Sequence, residues 1–478
     1  MKSRQTERRH TQRGWRREEF EQAMAELLGA ESSLLLDALA ADPSVGLRFN
    51  GLRLKTDDEA REFRKRLPWR LESVPWCPSG FTVEDGVDEQ RPGAHPWHHA
   101  GAYYLQDPAA MAVAEALAPR PGERVLDLAA APGGKTTHIA ALQEGRGILV
   151  SNDVHLERAR SLLGNVERCG VEHALVCHGE IERLARALPG WFDRVLLDAP
   201  CSGEGMFRKS EAAREAWSNR TVAACAQRQA SLIGVAADCV RPGGTLAYST
   251  CTFSRAENED VVESFVTRRP DFSLVEVKLP GTSQGLGALT GALRVWPHLA
   301  VGEGHFVAVL QRTDADAETP NPRSKTGRQA WPGPTPELLR AWRDYVSENA
   351  VDPAAFSEER LVGHGDRLLL APSGAPKLES VHLLRLGLAL GELRREGRKA
   401  RFVPAHAAAM ASSAYWRYEE LEVDDPRVAR YLVGEGFDAA GPDGWVVVRA
   451  GGFPLGWGRR RTGSVRSMLP TGLRVRVG

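Results

Sequence analysis

Six short apolar runs, each followed by a stretch with helical spacing, occupy the chain between Pro108 and about Arg312. The runs are RVLDLAA (124–130), GILVSND (147–153), HALVCHG (173–179), FDRVLLDAP (192–200), GTLAYSTC (244–251) and HFVAVLQR (305–312). Continuous apolar runs of this length are typical of strands buried on both faces of a parallel sheet. Because strand alternates with helix, we assign the region to the α/β class and expect ligands at the carboxyl ends of its strands. The final run follows VGEG, which predicts a hairpin at the edge of the sheet.

The segments before this region have a different pattern and predict a small α+β unit. Apolar residues recur at three- and four-residue spacing from Arg16 to Ala41, as they do in amphipathic helices. Residues 46–54, GLRFNGLRL, approach strand alternation, and a charged helical segment from Asp57 to Arg66 follows them. We therefore assign residues 1–105 to an N-terminal helical and α+β extension and residues 106–313 to the α/β domain.

The chain after the α/β domain divides into a linker and a further domain. Residues 314–336 are polar, rich in Pro and Thr and without periodicity, which predicts a linker. A helical segment near Glu337 to Asn349 follows, and then strand-like runs such as RLLLAP (367–372) and GWVVVRAGGFPLGW (444–457). These patterns predict a smaller, β-containing C-terminal domain over residues 337–478.

Composition excludes several classes of protein. The chain has 62 Lys+Arg and 62 Asp+Glu, so no bulk positive charge holds it on nucleic acid, although local basic surfaces are compatible with this balance. Its seven cysteines include no C-x-x-C pair, which argues for reduced thiols and against a disulfide framework or zinc ribbon. The basic N-terminus lacks the apolar core of a secretory signal, and the most apolar helical stretch, Thr221 to Val240, contains two charged residues. We therefore expect a cytoplasmic protein with no membrane partner and no bound metal.

The strongest local motif is a strand end followed by small residues and two glycines, VLDLAAAPGGKT. Small residues let a ligand approach the backbone, and the helix that begins near Thr136 offers free N–H groups. An ordinary strand–turn–helix junction has the same pattern. A phosphate-binding loop, G-x-x-x-x-G-K-[ST], is disfavoured because Ala129 stands where that motif requires glycine. The candidate ligand loop consists of Ala129, Ala130, Ala131, Pro132, Gly133, Gly134 and Lys135.

Three further strand ends carry polar or nucleophilic side chains. Asp153 ends the second strand, where a carboxylate can accept hydrogen bonds from ribose hydroxyls or can instead cap the following helix. The fourth strand ends in DAPCSGEG and the fifth in STCT, which places Asp198, Cys201 and Cys251 at one edge of the sheet. A lone cysteine is usually a small buried hydrophobe, whereas two cysteines beside a carboxylate are typical of a nucleophile and its partners.

Seven segments within the first 310 residues carry a resemblance to a known family. They are RFN (48–50), YYLQDPAAM (103–111), LDLAAAPGGKTTHIAA (126–141), SNDV (151–154), LLDAPCSGEGMFRK (196–209), RPGGTLAYSTCTFSRAENE (241–259), and RVWPH followed by GEGHF (294–306). Together they resemble the RNA (cytosine-5) methyltransferases of the Nop/Sun type, most closely the bacterial RsmF-like enzymes that act on small-subunit ribosomal RNA. DAPCSGEG and YSTCT in this order are highly specific, and AAPGGKT supports them.

The resemblance implies a Rossmann-like methyltransferase domain that binds S-adenosylmethionine. Residues 129–135 would cradle the methionine and ribose portions of this cofactor, and Asp153 would hold the ribose hydroxyls. Asp198 would lie between the cofactor and the target base. Glu180 would be the acidic residue that the family often places against the adenine.

The resemblance also implies roles for the two thiols. Cys251 would add to C6 of cytosine, since C5 alone is a poor nucleophile, and Asp198 would hydrogen-bond or protonate N3. Cys201 would assist the release of the methylated base from the enzyme. Lys135 would add positive charge near these groups or form a structural ion pair.

The flanking regions contain candidate RNA contacts. A metal site in HPWHH (95–99) lacks further visible ligands, and the resemblance places an RNA-contacting surface there. Tyr103 and Tyr104 would stack on bases or serve as core aromatics. The tail from Gly451 has no acidic residue and resembles the PUA-like RNA-binding domain of RsmF-type enzymes, although solvated surface charge is the alternative. Its arginines are Arg459, Arg460, Arg461, Arg466, Arg474 and Arg476.

The motifs and the resemblance together predict the binding partners of the protein and the alternatives to its expected function. We expect a monomer whose partner is RNA, in the form of ribosomal RNA or the small ribosomal subunit, with transfer RNA as the alternative substrate. Removing the residues after about 330 should raise the Michaelis constant for RNA more than it weakens cofactor binding. A P-loop nucleotidase is disfavoured by Ala129, and a non-catalytic RNA-binding assembly factor is disfavoured because Asp198, Cys201 and Cys251 are all present.

Overall fold

The described part of the chain, in a computed structural model, comprises residues 15–87, 90–313, 331–350, 357–378, 381–397, 399–411 and 416–475. Most of the sequence-predicted linker, the first 14 residues and Arg476 lie outside it. Within these ranges, no helix combines the length and the apolar character that crossing a membrane requires.

An N-terminal unit contains four helices and an antiparallel sheet with the strand order β2–β3–β1–β4. Its elements are α1 (Arg17–Leu28), α2 (Ser32–Ala40), β1 (Gly46–Phe49), α3 (Asp57–Arg66), β2 (Arg70–Ser73), β3 (Gly80–Asp85), α4 (Pro96–His99) and β4 (Tyr103–Leu105). Helix α3 coincides with the predicted charged segment and begins with a capping box formed by Thr56 and Glu59. Strand β1 stops at Phe49 because the side chain of Asn50 accepts a hydrogen bond from the Leu52 backbone and turns the chain.

The central region contains the predicted α/β architecture. Each of the six apolar runs contains a strand, and helices lie between successive parallel strands. The elements are α5 (Pro108–Leu117), β5 (Arg124–Asp127), α6 (Gly134–Leu142), β6 (Ile148–Asp153), α7 (Leu156–Arg168), β7 (Ala174–His178), α8 (Ile181–Ala187), β8 (Phe192–Asp198), α9 (Glu211–Ala216), α10 (Asn219–Cys239), β9 (Val240–Thr250), α11 (Glu259–Arg268), β10 (Phe272–Val275), β11 (Ser283–Gln284), β12 (Leu293–Val295) and β13 (His305–Arg312).

The central sheet has the strand order β11–β12–β13–β9–β8–β5–β6–β7, and the five strands from β9 to β7 are parallel. Alternate residues of these strands fill two cores, since Leu197 packs with Ile233 of α10 on one face and Leu196 packs with Ile139 of α6 on the other. The predicted hairpin is present, because β12 and β13 pair antiparallel on either side of VGEG. Strand β13 is not itself the edge strand, because it also pairs with β9. Strands β11 and β12 are too short to form apolar runs, which explains why the sequence pattern misses them.

The residues after 330 form two further sheets rather than one. Strands β14, β15, β17 and β18 make a four-stranded sheet, and the last five strands make another in the order β19–β21–β22–β23–β20. The elements are α12 (Pro336–Asn349), β14 (Leu361–His364), β15 (Arg367–Leu370), β16 (His382–Leu386), β17 (Leu388–Glu396), β18 (Lys399–Pro404), α13 (His406–Ala411), β19 (Tyr418–Leu421), α14 (Pro426–Leu432), β20 (Phe437–Asp438), β21 (Gly444–Ala450), β22 (Phe453–Arg461) and β23 (Ser464–Ser467).

Strand pairing and a shared core both connect the residues after 330 to the rest of the molecule. Strand β16 pairs antiparallel with β7 and thereby becomes the last strand of the central sheet. The sheet of β19–β23 shares a core with the N-terminal unit, where the rings of Phe63 and Phe453 lie 5.2 Å apart. In the same core the Trp97 indole donates a hydrogen bond of 3.0 Å to the Ala450 carbonyl.

Candidate active site

The carboxyl ends of β8 and β9 bring two thiols into contact. Asp198 and Ser249 are paired in register at the ends of these strands, so the loops that follow them begin side by side. The Sγ atoms of Cys201 and Cys251 lie 3.3 Å apart. The hydrogen bond to Cys251 and burial together raise the pKa of the Cys201 thiol well above its usual value. These two effects keep the Cys201 thiol protonated.

Gly205 allows the two loops to approach each other. Its backbone N–H donates a hydrogen bond of 2.8 Å to the Cys251 carbonyl. A Cβ atom at this position would lie 2.8 Å from the Gly304 carbonyl and 2.9 Å from that of Cys251, closer than real side chains come. Glycine is therefore required at position 205, the second glycine of the DAPCSGEG motif, for the two loops to meet.

A buried carboxylate, Glu257, fastens the same loops, and the sequence interpretation did not select it. Its Oε2 accepts hydrogen bonds from the Ser202 backbone at 3.0 Å and from the Gln229 amide at 2.9 Å. Its Oε1 accepts from the Ser202 hydroxyl at 2.5 Å and from Thr252 at 3.4 Å. Burial raises the pKa of Glu257. The residue belongs to SRAENE, and only the fold shows that its side chain reaches both cysteine loops.

Asp198 lies among three partners at the end of β8. Lys135 Nζ donates to Oδ2 at 2.7 Å, and the Ser249 hydroxyl donates to Oδ1 at 2.8 Å. The Nε2 atom of His305, at the start of β13, lies 3.7 Å from Oδ1. Burial alone would raise the pKa of Asp198, but the charge of Lys135 and the nearby His305 hold it well below its usual range. The carboxylate is therefore ionised, and Lys135 forms the ion pair that was one of its two expected roles.

The glycine loop connects β5 to α6 beside this cluster. Gly133 has φ +114°, a left-handed conformation that favours glycine, and it precedes the first residue of α6. Helix α7 holds the loop carbonyls in place, because Arg158 donates to Ala131 and Asn165 donates to Pro132. The N–H groups in the first turn of α6 have no partners within the helix, so they are available to a ligand.

Asp127, at the end of β5, is a second residue that the sequence interpretation did not select. Its Oδ2 accepts a hydrogen bond of 2.6 Å from Thr136, while its fully buried Oδ1 has no partner. Burial raises its pKa to about 7. An unsatisfied buried oxygen is costly unless a ligand or water satisfies it, so Asp127 is a candidate ligand-binding residue.

The ends of β6 and β7 face a cavity of about 130 Å³, whose wall includes Val154, Glu180, Ile181 and Leu232. Glu180 lines this cavity, and its expected contact with an adenine stays a prediction. Asp153 is buried at the end of β6, and its Oδ1 accepts a hydrogen bond of 2.9 Å from the His155 backbone. His155, not Asp153, is the residue that precedes the first turn of α7.

Several predicted RNA contacts are buried. Tyr103 and Tyr104 are core aromatics, since the first donates a hydrogen bond to the Pro92 carbonyl and the second lies under Arg168. Arg460 is buried and paired with Glu419, so it is unavailable to RNA.

The HPWHH segment is also part of the packing. Trp97 is buried, and His95 accepts a hydrogen bond from the Trp97 backbone. In the described part of the chain, one group of three possible metal ligands occurs, namely Cys77, Glu115 and His138, and none of them belongs to this segment.

Four segments of the chain match families of known proteins. Residues 114–311 match the family described as 16S rRNA methyltransferase RsmB/F. Residues 17–108 match the N-terminal domain of 16S rRNA methyltransferase RsmF, and residues 345–411 match the first C-terminal domain of the RsmF rRNA methyltransferase. Residues 418–475 match the PUA domain of methyltransferase RsmF.

Curated relatives resemble the chain over most of its length. The ribosomal RNA small subunit methyltransferase F of Serratia proteamaculans (strain 568) is 33% identical over 434 residues, which cover 89% of each chain. The protein of the same name from Klebsiella pneumoniae (strain 342) is 35% identical over 412 residues, which cover 84% of each chain.

Solved structures share the fold over about three fifths of this chain. A methyltransferase homolog protein from Pyrococcus horikoshii is 27% identical with a TM-score of 0.54, over 61% of this chain and 94% of that chain. NSun6 from Pyrococcus horikoshii, solved with SFG, an S-adenosylmethionine analogue, shares the fold with a TM-score of 0.54 and 23% identity, over 62% and 98% of the two chains. The chain belongs to the RsmF-like, Sun-type branch of the RsmB/F family, whose members are S-adenosylmethionine-dependent ribosomal RNA methyltransferases.

Proposed function

We propose that this protein transfers a methyl group from S-adenosylmethionine to C5 of a cytosine in 16S ribosomal RNA. The observation that carries the proposal is the contact between Cys201 and Cys251 beside the ionised Asp198. A thiol nucleophile beside a carboxylate fits covalent activation of a pyrimidine ring, and a second thiol in contact with the first fits release of the product. The names of the curated relatives support the small-subunit RNA as substrate.

The cofactor loop and its neighbours offer hydrogen-bond donors and acceptors of the types that S-adenosylmethionine requires. The unpartnered Oδ1 of Asp127 can accept a hydrogen bond from the ammonium group, and the first turn of α6 can donate to the carboxylate. Asp153 would hold the ribose, and the cavity with Glu180 at its wall, which is lined by both polar and apolar side chains, would take the adenine. The residues of the loop itself are Ala129, Ala130, Ala131, Pro132, Gly133, Gly134 and Lys135.

Cys251 is the proposed nucleophile. Its thiolate forms a bond to C6, and the electron pair displaced from the C5–C6 double bond makes C5 nucleophilic. Bound S-adenosylmethionine supplies the methyl group as an electrophile. Because the contact with Cys251 and burial raise the pKa of Cys201, we assign the nucleophilic thiolate to Cys251 and the thiol to Cys201. Lys135 lies near enough to interact favourably with that charge.

Cys201 is proposed to assist release. Once Cys251 is bonded to C6, it no longer accepts the Cys201 hydrogen bond and no longer carries a charge. Both are causes of the raised pKa of Cys201, so this thiol becomes a better acid once they are removed. It releases its own proton to solvent water, and the resulting thiolate accepts the C5 proton and is a thiol again. The C–H electron pair then restores the double bond, and Cys251 leaves as a thiolate.

RNA is the proposed partner, held in part by exposed arginines of the last sheet. Arg461 and Arg466 are exposed on β22 and β23, whereas the buried Arg460 is excluded from this role. We propose that the chain acts through an N-terminal extension (1–105), a methyltransferase domain (106–313), a linker (314–336) and a C-terminal RNA-binding region (337–478).

The two cysteine variants test the proposal. Cys251→Ala should abolish methylation, whereas Cys201→Ala should accumulate a covalent protein–RNA adduct that survives denaturing electrophoresis. Cys225→Ala is the matched control, because this partly exposed cysteine lies on α10 and makes no contact with either thiol in the described structure. Mapping 5-methylcytosine in 16S RNA from a strain without the protein identifies the target. An adduct that requires Cys201 and not Cys251 would reverse the two roles.

A further inference from the structure

A buried imidazole without a partner on one nitrogen faces the active site. The side chain of His305 is 5% exposed, and its Nε2 atom has no hydrogen-bond partner. Its Nδ1 lies 3.1 Å from the Gly304 carbonyl, and because a carbonyl can only accept, Nδ1 carries a hydrogen. The other nitrogen is therefore the one through which His305 can exchange a proton.

Strand register directs this nitrogen toward Asp198. Val307 on β13 is paired with Ser249 on β9, and Ser249 is paired with Asp198 on β8, so these three side chains share one face of the sheet. His305 lies two residues before Val307 and projects from the same face, one strand away from Cys251. This placement accounts for the 3.7 Å between His305 Nε2 and Asp198 Oδ1.

The proposed reaction needs a proton that Asp198 does not carry. Asp198 is ionised and accepts hydrogen bonds on both oxygens, while N3 of cytosine is also an acceptor. Two acceptors cannot bond to each other until a proton lies between them. Lys135 is a poor source of this proton: burial opposes its charge, but the Asp198 carboxylate outweighs burial and raises the pKa of Lys135.

We propose that His305 is a positioning residue that supplies the proton which Asp198 delivers to N3 of the target cytosine. The inference rests on the proposed function. As the bond between Cys251 and C6 forms, the displaced electron pair is delocalised toward N3. The imidazolium Nε2–H bond breaks in favour of Asp198 Oδ1, and a proton passes from Asp198 to N3. When Cys251 leaves as a thiolate, the proton returns along the same path, so no net proton is consumed by this relay.

The surroundings of His305 contain few other charges. Asp198 faces it from β8 and Lys135 faces the same carboxylate from α6. The thiols of Cys251 and Cys201 are the titratable groups at the ends of the neighbouring strands. On β12, Arg294 is paired with Phe306 and therefore lies on the opposite face, where Glu259 neutralises it.

The experiment measures the rate of covalent adduct formation in the Cys201→Ala background with saturating RNA and S-adenosylmethionine. His305→Gln retains a hydrogen-bond donor but cannot carry a transferable proton, so adduct formation should slow by about a hundredfold, the scale of proton-transfer catalysis. The difference in adduct-forming rate between the His305→Gln double variant and Cys201→Ala should shrink as the pH is lowered, because protons from solvent then replace the proton that His305 supplies. His173→Gln is the matched control, since it removes another buried imidazole, which is bonded to Gln143.

The outcomes separate the inference from the function on which it rests. Absence of any adduct in the Cys201→Ala enzyme would contradict the proposed function itself. An adduct that forms as fast in the His305→Gln double variant as in Cys201→Ala would overturn the role of His305. A slow rate that is the same at every pH, with a lowered melting temperature, would assign His305 a purely structural role and also overturn the inference.

Discussion

At the scale of single residues, Asp127 has a carboxylate that the fold buries with only one of its two oxygens satisfied. The Thr136 hydroxyl donates a hydrogen bond to one oxygen, and the other oxygen is buried without a partner. Its pKa, raised by burial to about 7, shows that the folded protein disfavours the charged form. The free protein therefore loses stability at this position, and a bound ammonium group would recover it.

Asp127→Asn should change the pH dependence of stability in the cofactor-free protein. A carboxyl whose folded pKa is raised contributes its full stability below pH 4 and loses it as the pH rises through about 7. The variant lacks this loss, so its free energy of unfolding relative to the native protein should rise by about 2 to 4 kcal/mol from pH 4 to pH 7. Urea unfolding at several pH values measures this. A difference in unfolding free energy between the variant and the native protein that does not change with pH would contradict the prediction. The affinity of the variant for S-adenosylmethionine should also be lower than that of the native protein.

The sequence predicts the reactive residues better than the residues that support them. Cys201, Cys251 and Asp198 could be selected because each follows an apolar strand in a short, specific motif. Glu257 and His305 could not be selected, because their significance comes from the distance between side chains on different elements. Nor could a run of arginines reveal that Arg460 is turned inward toward Glu419.

At the scale of elements, the loops after β8 and β9 act as one unit because Glu257 bonds to both. Its Oε2 atom accepts hydrogen bonds from the Ser202 backbone N–H and the Gln229 amide, and its Oε1 atom accepts from the Ser202 and Thr252 hydroxyls. Hydroxyl groups can reverse their role and accept hydrogen bonds, whereas the Ser202 N–H and the Gln229 amide at Oε2 can only donate.

Two substitutions of Glu257 should therefore differ. Glu257→Gln can point its oxygen at the Ser202 N–H and its NH₂ group at the hydroxyls, so it should keep most of the stability and the adduct-forming rate. Glu257→Ala leaves buried donors unsatisfied and should lower the free energy of unfolding by about 1 to 3 kcal/mol, with slower adduct formation. Thermal unfolding and single-turnover kinetics measure the two effects. Asp260→Ala, at an exposed position of α11, is the control, and equal behaviour of the two Glu257 variants would contradict the account.

Elements with long apolar runs are predictable, and short edge elements are not. The six central strands and the charged helix α3 can be predicted from the spacing of their apolar residues. The strands are apolar because both faces of the sheet are buried, and the helix is apolar along the one stripe that it buries. Strand β16 was not predicted as part of the central sheet. Its position depends on pairing with β7, which is more than 200 residues earlier in the chain, and a local pattern does not encode such a partner.

At the scale of the whole molecule, the C-terminal region is structurally part of the methyltransferase domain. Strand β16 covers the edge of β7, and a Cβ atom at Gly179 would lie 3.0 Å from the Val381 side chain. The neighbouring Glu180 lines the cavity proposed for adenine. Truncation near residue 330 therefore affects more than RNA binding, which changes the expectation drawn from the sequence.

A chain that ends at residue 330 should show a lower melting temperature and weaker binding of S-adenosylmethionine, because the β7 edge loses its partner strand. A chain that ends at residue 411 keeps β16 and should bind the cofactor more tightly than the shorter chain, while both lose affinity for RNA. Isothermal titration with the cofactor distinguishes them. Equal cofactor affinity in the full chain and in the chain ending at 330 would show that β16 does not support the site.

The shared core of the N-terminal unit and the last sheet has a consequence during protein synthesis. Phe63 and Trp97 leave the ribosome more than 300 residues before Phe453, which packs against both. Until Phe453 emerges, the nascent chain displays an uncovered aromatic face, a target for chaperones. Synthesis of β21 and β22 supplies the residues that cover this face, so a chain interrupted before them keeps it exposed.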